Sequence, residues 1–280
     1  MRGFFAAPIA GVFSAFLLAA PGLLAPTALA AQDLIPDRRF VLSENIDLPG
    51  GDISSIFDTT LEACETACET NKACTAFTFN TRNGSCFAKA NPGEGAEYQG
   101  AYSGHVLTAD AGAEALAKTR RAELGFIPSW ETDGIVAQAR NLANTHVTNG
   151  FTAEEHQNAS AGAEASGDYV GASRFAGAAL NLTDSAEGWL EYARLLYLAG
   201  NQDTSNQYNF RSLSYQAAVN AYLRADNKAL QHNILLTMGQ ALEGIDRGRD
   251  TVQALRLAEK LQHRDDTARA LDDAIAKYGF

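Results

Sequence analysis

The sequence predicts an α+β region cross-linked by disulfides, followed by an all-α region. All the cysteines lie between Cys64 and Cys86, in a segment rich in turn-forming residues. From about residue 107 the chain is rich in alanine, contains no cysteine, and spaces its apolar side chains three and four positions apart, as amphipathic helices do. We therefore divide the chain into four segments: 1–30, 31–106, 107–150 and 151–280.

The segment 1–30 is interpreted as a signal peptide. Arg2 precedes a long apolar run, and Ala28-Leu29-Ala30 has the small-x-small pattern that signal peptidase accepts. Pro21 and Pro26 interrupt the run, which disfavours a membrane-spanning helix, although an uncleaved N-terminal anchor is the alternative. No later stretch is long and apolar enough to span a bilayer. We expect cleavage and export, to the periplasm or the extracellular space.

Composition limits the classes of partner. The formal net charge of −11 argues against a nucleic-acid partner, because phosphate binding needs a cationic surface. Hydrophobic residues make up 46% of the chain and charged residues 20%, which is ordinary for globular proteins and argues against wholesale disorder.

The α+β region is expected to contain one helix. Thr59 and Glu62 fit a capping box at its start, and the helix is expected to run to about Thr70. It would place Cys64 and Cys68 one turn apart on the same face. Short runs with alternating apolar side chains predict strands on either side of it: Phe40-Val41-Leu42 and Cys74-Thr75-Ala76-Phe77-Thr78-Phe79.

On an exported chain, four cysteines predict a disulfide framework. Cys64 and Cys68 would lie one turn apart on a helix, a geometry in which a disulfide rarely forms. Each is therefore expected to pair with another cysteine. We favour Cys68–Cys74, because the near strand can reach back to the helix, and this leaves Cys64–Cys86. A zinc site is the alternative, but the spacing lacks the paired knuckles that zinc prefers. No cysteine is left over to act as a catalytic thiol.

Three motifs carry a resemblance to a known family. They are the cysteine helix at 61–68, the aromatic strand at 74–80 and Gly84-Ser85-Cys86-Phe87. Together they make residues 33–106 resemble a PAN/Apple domain, in its shorter PAN form without the extra cysteine pair of animal Apple domains. The resemblance implies a helix packed on a sheet, the same nested disulfide pairing, and an interaction module that binds proteins or carbohydrates.

The all-α region is expected to be a helical bundle or a tetratricopeptide-like helical repeat. A weak internal similarity supports the repeat. Trp189 and Leu196 are seven residues apart and are followed by Gly200, just as Leu235 and Leu242 are seven residues apart and are followed by a later glycine. The segment 202–214 is interpreted as largely an insertion. Periodicity and start signals place helices near 109–122, 131–144, 153–180 (with a break), 186–199, 213–224, 228–243, 249–261 and 265–277.

The whole arrangement also resembles the N-terminal region of proteobacterial alpha-2-macroglobulin family proteins, which are large periplasmic protease traps. A signal peptide, a PAN domain and an alanine-rich helical region ending in the run at 272–280 carry this resemblance. The chain has no Cys-Gly-Glu-Gln thioester motif, no bait region and no series of β-sandwich modules. The resemblance therefore implies an accessory region of an endopeptidase inhibitor, with proteases as possible partners.

No residue pattern predicts catalysis, metal binding or a cofactor. The acidic pairs Asp265-Asp266 and Asp272-Asp273 diverge around their helices and are expected to be solvated. We therefore expect no catalytic residues, no metal, no cofactor and no enzymatic activity. The histidines are scattered without the spacing of metal ligands: His105, His146, His156, His232 and His263.

Aromatic side chains are the remaining candidates for a binding surface. Tyr208 and Phe210 lie in the 202–214 insertion, where we expect an exposed contact, and Tyr98 is a candidate in the PAN-like region. Phe77 and Phe79 share one strand face and are expected to be buried. The sequence thus predicts an exported, non-enzymatic interaction module that binds protein or carbohydrate, with the inhibitor region as the alternative.

Overall fold

The computed structural model describes residues 33–145, 147–148 and 152–280. The predicted signal peptide and His146 lie outside these residues. No helix in this part of the chain is both long and apolar enough to cross a membrane.

A sheet forms from the α+β region and one short later segment. Its strands lie in the order β2-β4-β3-β5-β1-β6, and the pairs from β2 to β1 are antiparallel. The added strand β6 pairs in parallel with β1, with Leu42 opposite Val147. No sequence pattern predicts β6, because a strand of two residues carries no periodic signal. The strands are β1 (Arg38–Asp47), β2 (Asp52–Ile56), β3 (Ala76–Asn80), β4 (Ser85–Lys89), β5 (Ala96–Thr108) and β6 (Val147–Thr148).

Helix α1 (Leu61–Thr70) packs on this sheet. Its N-cap is Thr60, whose side chain accepts a hydrogen bond from the backbone N–H of Ala63 at 3.2 Å. The predicted capping box at Thr59 is therefore wrong by one residue. The backbone N–H of Thr59 instead donates to the carbonyl of Gly84 at 3.0 Å, so this residue belongs to the contact with the β3–β4 turn.

Phe77 is the centre of the core between α1 and the sheet. It is fully buried, and its ring meets Phe40 edge-on at 5.2 Å between centroids. Gly104 lies opposite Phe77 on β5, and a Cβ at this glycine would stand 2.3 Å from the ring of Phe77. The close approach of β5 to the ring thus requires a residue without a side chain. Phe79 is buried as well, as expected.

Apart from β6, the described part of the second region is helical, as the sequence predicts. From α4 onward each helix packs against the next in chain order, whereas α2 and α3 pack on α7. The helices are α2 (Ala113–Glu123), α3 (Ser129–Thr145), α4 (Ala153–Ala165), α5 (Tyr169–Thr183), α6 (Ala186–Gln202), α7 (Gln207–Arg224), α8 (Lys228–Glu243), α9 (Gly248–Leu261) and α10 (Asp265–Tyr278).

Two helix boundaries follow from local contacts. The expected break in the helix near 153–180 occurs where Gly167 adopts a φ of +80°, between α4 and α5. The prediction of an insertion at 202–214 is wrong: α6 and α7 are joined by a tight turn in which the carboxylate of Asp203 accepts hydrogen bonds from the backbone. The guanidinium of Arg211 then stacks on Tyr197 at 3.6 Å, which holds the start of α7 against α6.

The segment just before β1 packs into the core of the helical region. Leu34 and Ile35, just before β1, are buried in the same hydrophobic cluster as Leu124 and Tyr222 of the helical region. The backbone N–H of Ile35 also donates to the carboxylate of Glu114 on α2 at 2.7 Å. Residues 33–280 accordingly form a single compact unit.

We predict that Gly104→Ala lowers the free energy of unfolding by about 1–3 kcal/mol, because the new methyl group overlaps the ring of Phe77. Urea unfolding measures the change. Gly134→Ala is the matched control: this glycine lies within α3, a Cβ there meets nothing within 4 Å, and alanine is the better helix former. The control should be neutral or stabilising. Equal effects of the two substitutions would contradict the packing described here.

Candidate functional site

Two disulfides hold the PAN-like region together. They join Cys64 to Cys86 and Cys68 to Cys74, with Cα–Cα distances of 5.5 Å and 5.3 Å. This is the pairing that the sequence analysis favours. All four residues are buried, so the disulfides lie in the core and tie α1 both to β4 and to the segment just before β3.

The β2 edge, which we define as Ile53, Ile56 and Phe57, is an exposed apolar surface of this region. Among the described residues, strand β2 is the last strand on its side of the sheet, and all of its residues are exposed. Phe57 follows the strand directly and is 63% exposed. Ser55 pairs with Phe87 and Ile56 with Cys86, so the side chains of Ser55 and Ile56 lie on opposite faces of the sheet.

Phe57 is exposed but held in place. Its ring meets Phe87 of β4 edge-on, with 6.2 Å between centroids. The Lys89 ammonium lies 5.8 Å from the centre of the Phe87 ring and forms an ion pair with Asp52 at the start of β2. An apolar side chain that is both exposed and restrained loses little conformational entropy on binding a partner.

The predicted aromatic binding residues lie in different environments. Tyr98 on β5 is 46% exposed, and Tyr208 in the first turn of α7 is 64% exposed. Phe210 is partly buried and packs against the helical core. Tyr98 and Tyr208 therefore expose their rings, whereas Phe210 contributes mainly to packing.

Acidic side chains follow one another along α1. Glu65 is half-buried, and Glu62 and Glu69 lie one turn away on either side of it. Burial, together with the charges of these two neighbours, raises the pKa of Glu65 to about 7. This carboxyl group therefore changes charge near neutral pH.

A second candidate site is the junction cleft, a cavity of about 590 Å³ between the PAN-like and helical regions. At its floor, Arg224 donates from Nη2 to the carboxylate of Asp184 at 3.2 Å, and Arg39 approaches the same carboxylate at 4.0 Å. Arg39 also donates to the carbonyl of Asn181 at 2.6 Å and so caps the end of α5. Burial, and the charge of nearby Arg224, lower the pKa of Arg39, whereas Asp184 opposes that shift.

The walls and mouth of the junction cleft have different character. Its walls include the apolar side chains of Ile35, Pro36, Leu107, Leu116 and Leu182. Its mouth carries three exposed carboxylates: Asp110, Glu187 and Asp226.

Histidine and aspartate side chains named in the sequence analysis have structural or solvated surroundings. His232 is buried, with Nε2 2.9 Å from the hydroxyl of Thr267, and exposed His263 pairs with Glu259. Asp265-Asp266 and Asp272-Asp273 are exposed. Within the described ranges, no group of three or more histidine, cysteine, aspartate or glutamate side chains is placed to hold a metal ion.

Comparison with known proteins identifies the fold of the first region. Residues 38–105 match the family model of the PAN domain, from the first residue of β1 almost to the end of β5, with both disulfides included. No curated protein matches the chain. The match indicates an interaction module for protein or carbohydrate.

Both candidate surfaces include residues that the sequence analysis did not select. Ile53, Ile56 and Phe57 interrupt a polar segment, and this apolar clustering next to turn residues was a usable signal. Arg39 and Asp184 meet only in the folded chain, so no local pattern could have paired them.

The two disulfides should contribute unequally to stability. Cys64–Cys86 closes a longer loop than Cys68–Cys74, with sequence separations of 22 and 6. Loop-closure entropy therefore predicts that the double variant Cys64→Ala/Cys86→Ala loses about 1 kcal/mol more than Cys68→Ala/Cys74→Ala. Urea unfolding of both variants measures this difference, and each serves as the control for the other. Equal losses, or the reverse order, would contradict the assignment.

Stability should depend on the ionisation of Glu65. The pKa of Glu65 is raised from 4.5 to about 7 in the folded state, so folding favours the protonated form. This contribution to stability is lost as pH rises between those values. We predict that Glu65→Gln stabilises the protein at pH 8 more than at pH 5, as measured by urea unfolding. Glu94→Gln, at an exposed loop position, should show no such difference. If both substitutions change the stability equally at pH 5 and pH 8, the raised pKa of Glu65 does not contribute to the pH dependence of stability.

Proposed function

We propose that this chain is an exported, non-enzymatic interaction module whose PAN domain binds a protein partner through the β2 edge. The observation that carries the proposal is the exposed strand β2 at the side of the sheet, next to the exposed and restrained ring of Phe57. Exposed strand edges of this kind are usually blocked by charges or covered. Here no charged residue lies between Asp52 and Asp58.

A strand edge favours a protein partner over a carbohydrate. Its backbone N–H and C=O groups can pair with an extended peptide, which would add a further strand to the sheet. Ile56 pairs with Cys86 and Phe57 contacts Phe87, and these successive residues of β4 face opposite sides of the sheet. Alternate side chains of the peptide would therefore each meet an apolar contact. Acidic residues outnumber basic ones between residues 38 and 105, which favours a peptide that carries basic side chains.

Export is supported by the two buried disulfides, because disulfides of this kind form and persist in oxidising compartments. The predicted signal peptide points the same way, and the periplasm is the compartment that we propose. The helical region would then act as the scaffold that carries the PAN domain.

A peptide-display selection tests the proposed function. We predict that random peptides selected on the disulfide-bonded protein are extended, with alternating apolar residues and basic flanks. Binding of a selected synthetic peptide to Phe57→Ser should be at least about tenfold weaker, as expected for an aromatic anchor at the centre of an interface. Fluorescence anisotropy of the labelled peptide measures the affinity.

Trp130→Ser is the matched control, since Trp130 is 74% exposed but lies on α3, outside the PAN domain. This variant should bind the peptide like the parent protein. A glycan array supplies the competing outcome. Specific glycan binding without peptide binding, or peptide binding that is insensitive to Phe57→Ser, would contradict the proposal.

The alternative function is an accessory region of an alpha-2-macroglobulin-like endopeptidase inhibitor. The sequence arrangement described above is what supports it. An antibody against residues 33–106, used on a periplasmic fraction, separates the two proposals. A band near the mass expected for this sequence favours the interaction module, and a band several times larger favours the inhibitor.

A further inference from the structure

The floor of the junction cleft carries more positive than negative charge. Arg39 and Arg224 share the single carboxylate of Asp184, and their side chains are only 13% and 11% exposed. Charges at this depth are screened less by water than charges at the surface, so an additional anion there gains more from the arginines than it would in solution. The lowered pKa of Arg39, caused by burial and by Arg224, is consistent with this excess.

The guanidinium groups of Arg39 and Arg224 at the floor favour a carboxylate as the bound anion. A guanidinium group presents parallel N–H donors that match the two oxygens of a carboxylate. The cleft volume of about 590 Å³ falls within the range of small-molecule sites, and the apolar walls, including Ile35 and Leu116, can cover the body of a small ligand.

The mouth of the cleft limits the charge of the ligand. Asp110, Glu187 and Asp226 are exposed there, so further negative groups on a ligand would be repelled as they passed outward. A polyphosphate or another polyanion is therefore disfavoured. A ligand that places one carboxylate near the arginines of the floor and a neutral or cationic group near the carboxylates of the mouth is compatible with the charges at both ends of the cleft.

We propose that the junction cleft is a binding site for the carboxylate group of a small monoanionic ligand. This site is separate from the β2 edge and does not depend on the function proposed for it. Both an acidic sugar and the C-terminus of a short peptide carry the required group, and the test distinguishes these two sources.

Isothermal titration with two matched pairs of probes tests the proposal. The sugar pair is glucuronate and glucose, and the peptide pair is N-acetyl-dialanine and its C-terminal amide. We expect saturable binding of the carboxylate member of at least one pair, with no binding of its neutral counterpart. The pair that responds identifies the source. No binding of either carboxylate at millimolar concentration would overturn the proposal.

Variants place the binding in the cleft. Arg224→Gln should weaken binding of the responding carboxylate by at least about tenfold, because it removes a charge-assisted contact. Arg174→Gln is the control, since Arg174 is exposed on α5 and does not line the cleft. Circular dichroism checks that both variants are folded.

A variant at the mouth keeps the test decisive if Arg224→Gln fails to fold. Glu187 is exposed, and Glu187→Gln removes a repulsive charge without touching the floor. It should tighten carboxylate binding on the order of twofold, as expected for a charge acting through water. Carboxylate binding that neither Arg224→Gln nor Glu187→Gln changes would place the ligand elsewhere and overturn the proposal.

Discussion

The carboxylate of Asp184 is the point on which the arrangement of the two regions depends. It lies in the connection between α5 and α6, with a φ of +49°, and it faces Arg39 of the PAN domain and Arg224 at the end of α7. Removing it would leave two largely buried cations facing each other, a costly arrangement. The same carboxylate thereby positions β1 against the helices and forms the floor of the junction cleft.

The PAN domain itself depends on a different constraint. Its disulfides and the ring of Phe77 occupy the space between α1 and the sheet, and they fix the helix without using the side of the sheet at β2. The core is therefore complete while β2 still exposes its backbone edge. Covalent bonds, rather than a large core, supply much of the stability of this region, so its folding does not require β2 to be covered.

Local signals in the sequence predicted much of this fold. Cysteine spacing and alternating apolar residues gave the helix, the strands and the favoured pairing, and the start of α4 at Thr152 is set by a capping box with Glu155. The misses have a common physical origin, since each depends on contacts between distant residues. The pairing of β6 with β1 and the meeting of Arg39 with Asp184 arise only after the chain has folded. The start of α7 was missed because its stabilising contact, the stacking of Arg211, involves the preceding helix.

Hydrogen exchange in Asp184→Asn tests most directly whether this carboxylate joins the two regions. Asp246→Asn is the control, because Asp246 has a similar φ of +59° but is exposed. We predict that Asp184→Asn speeds exchange by about tenfold both in β1 and in the connection between α5 and α6, and that the control does not. Faster exchange confined to that connection, or equal behaviour of the two variants, would contradict this prediction.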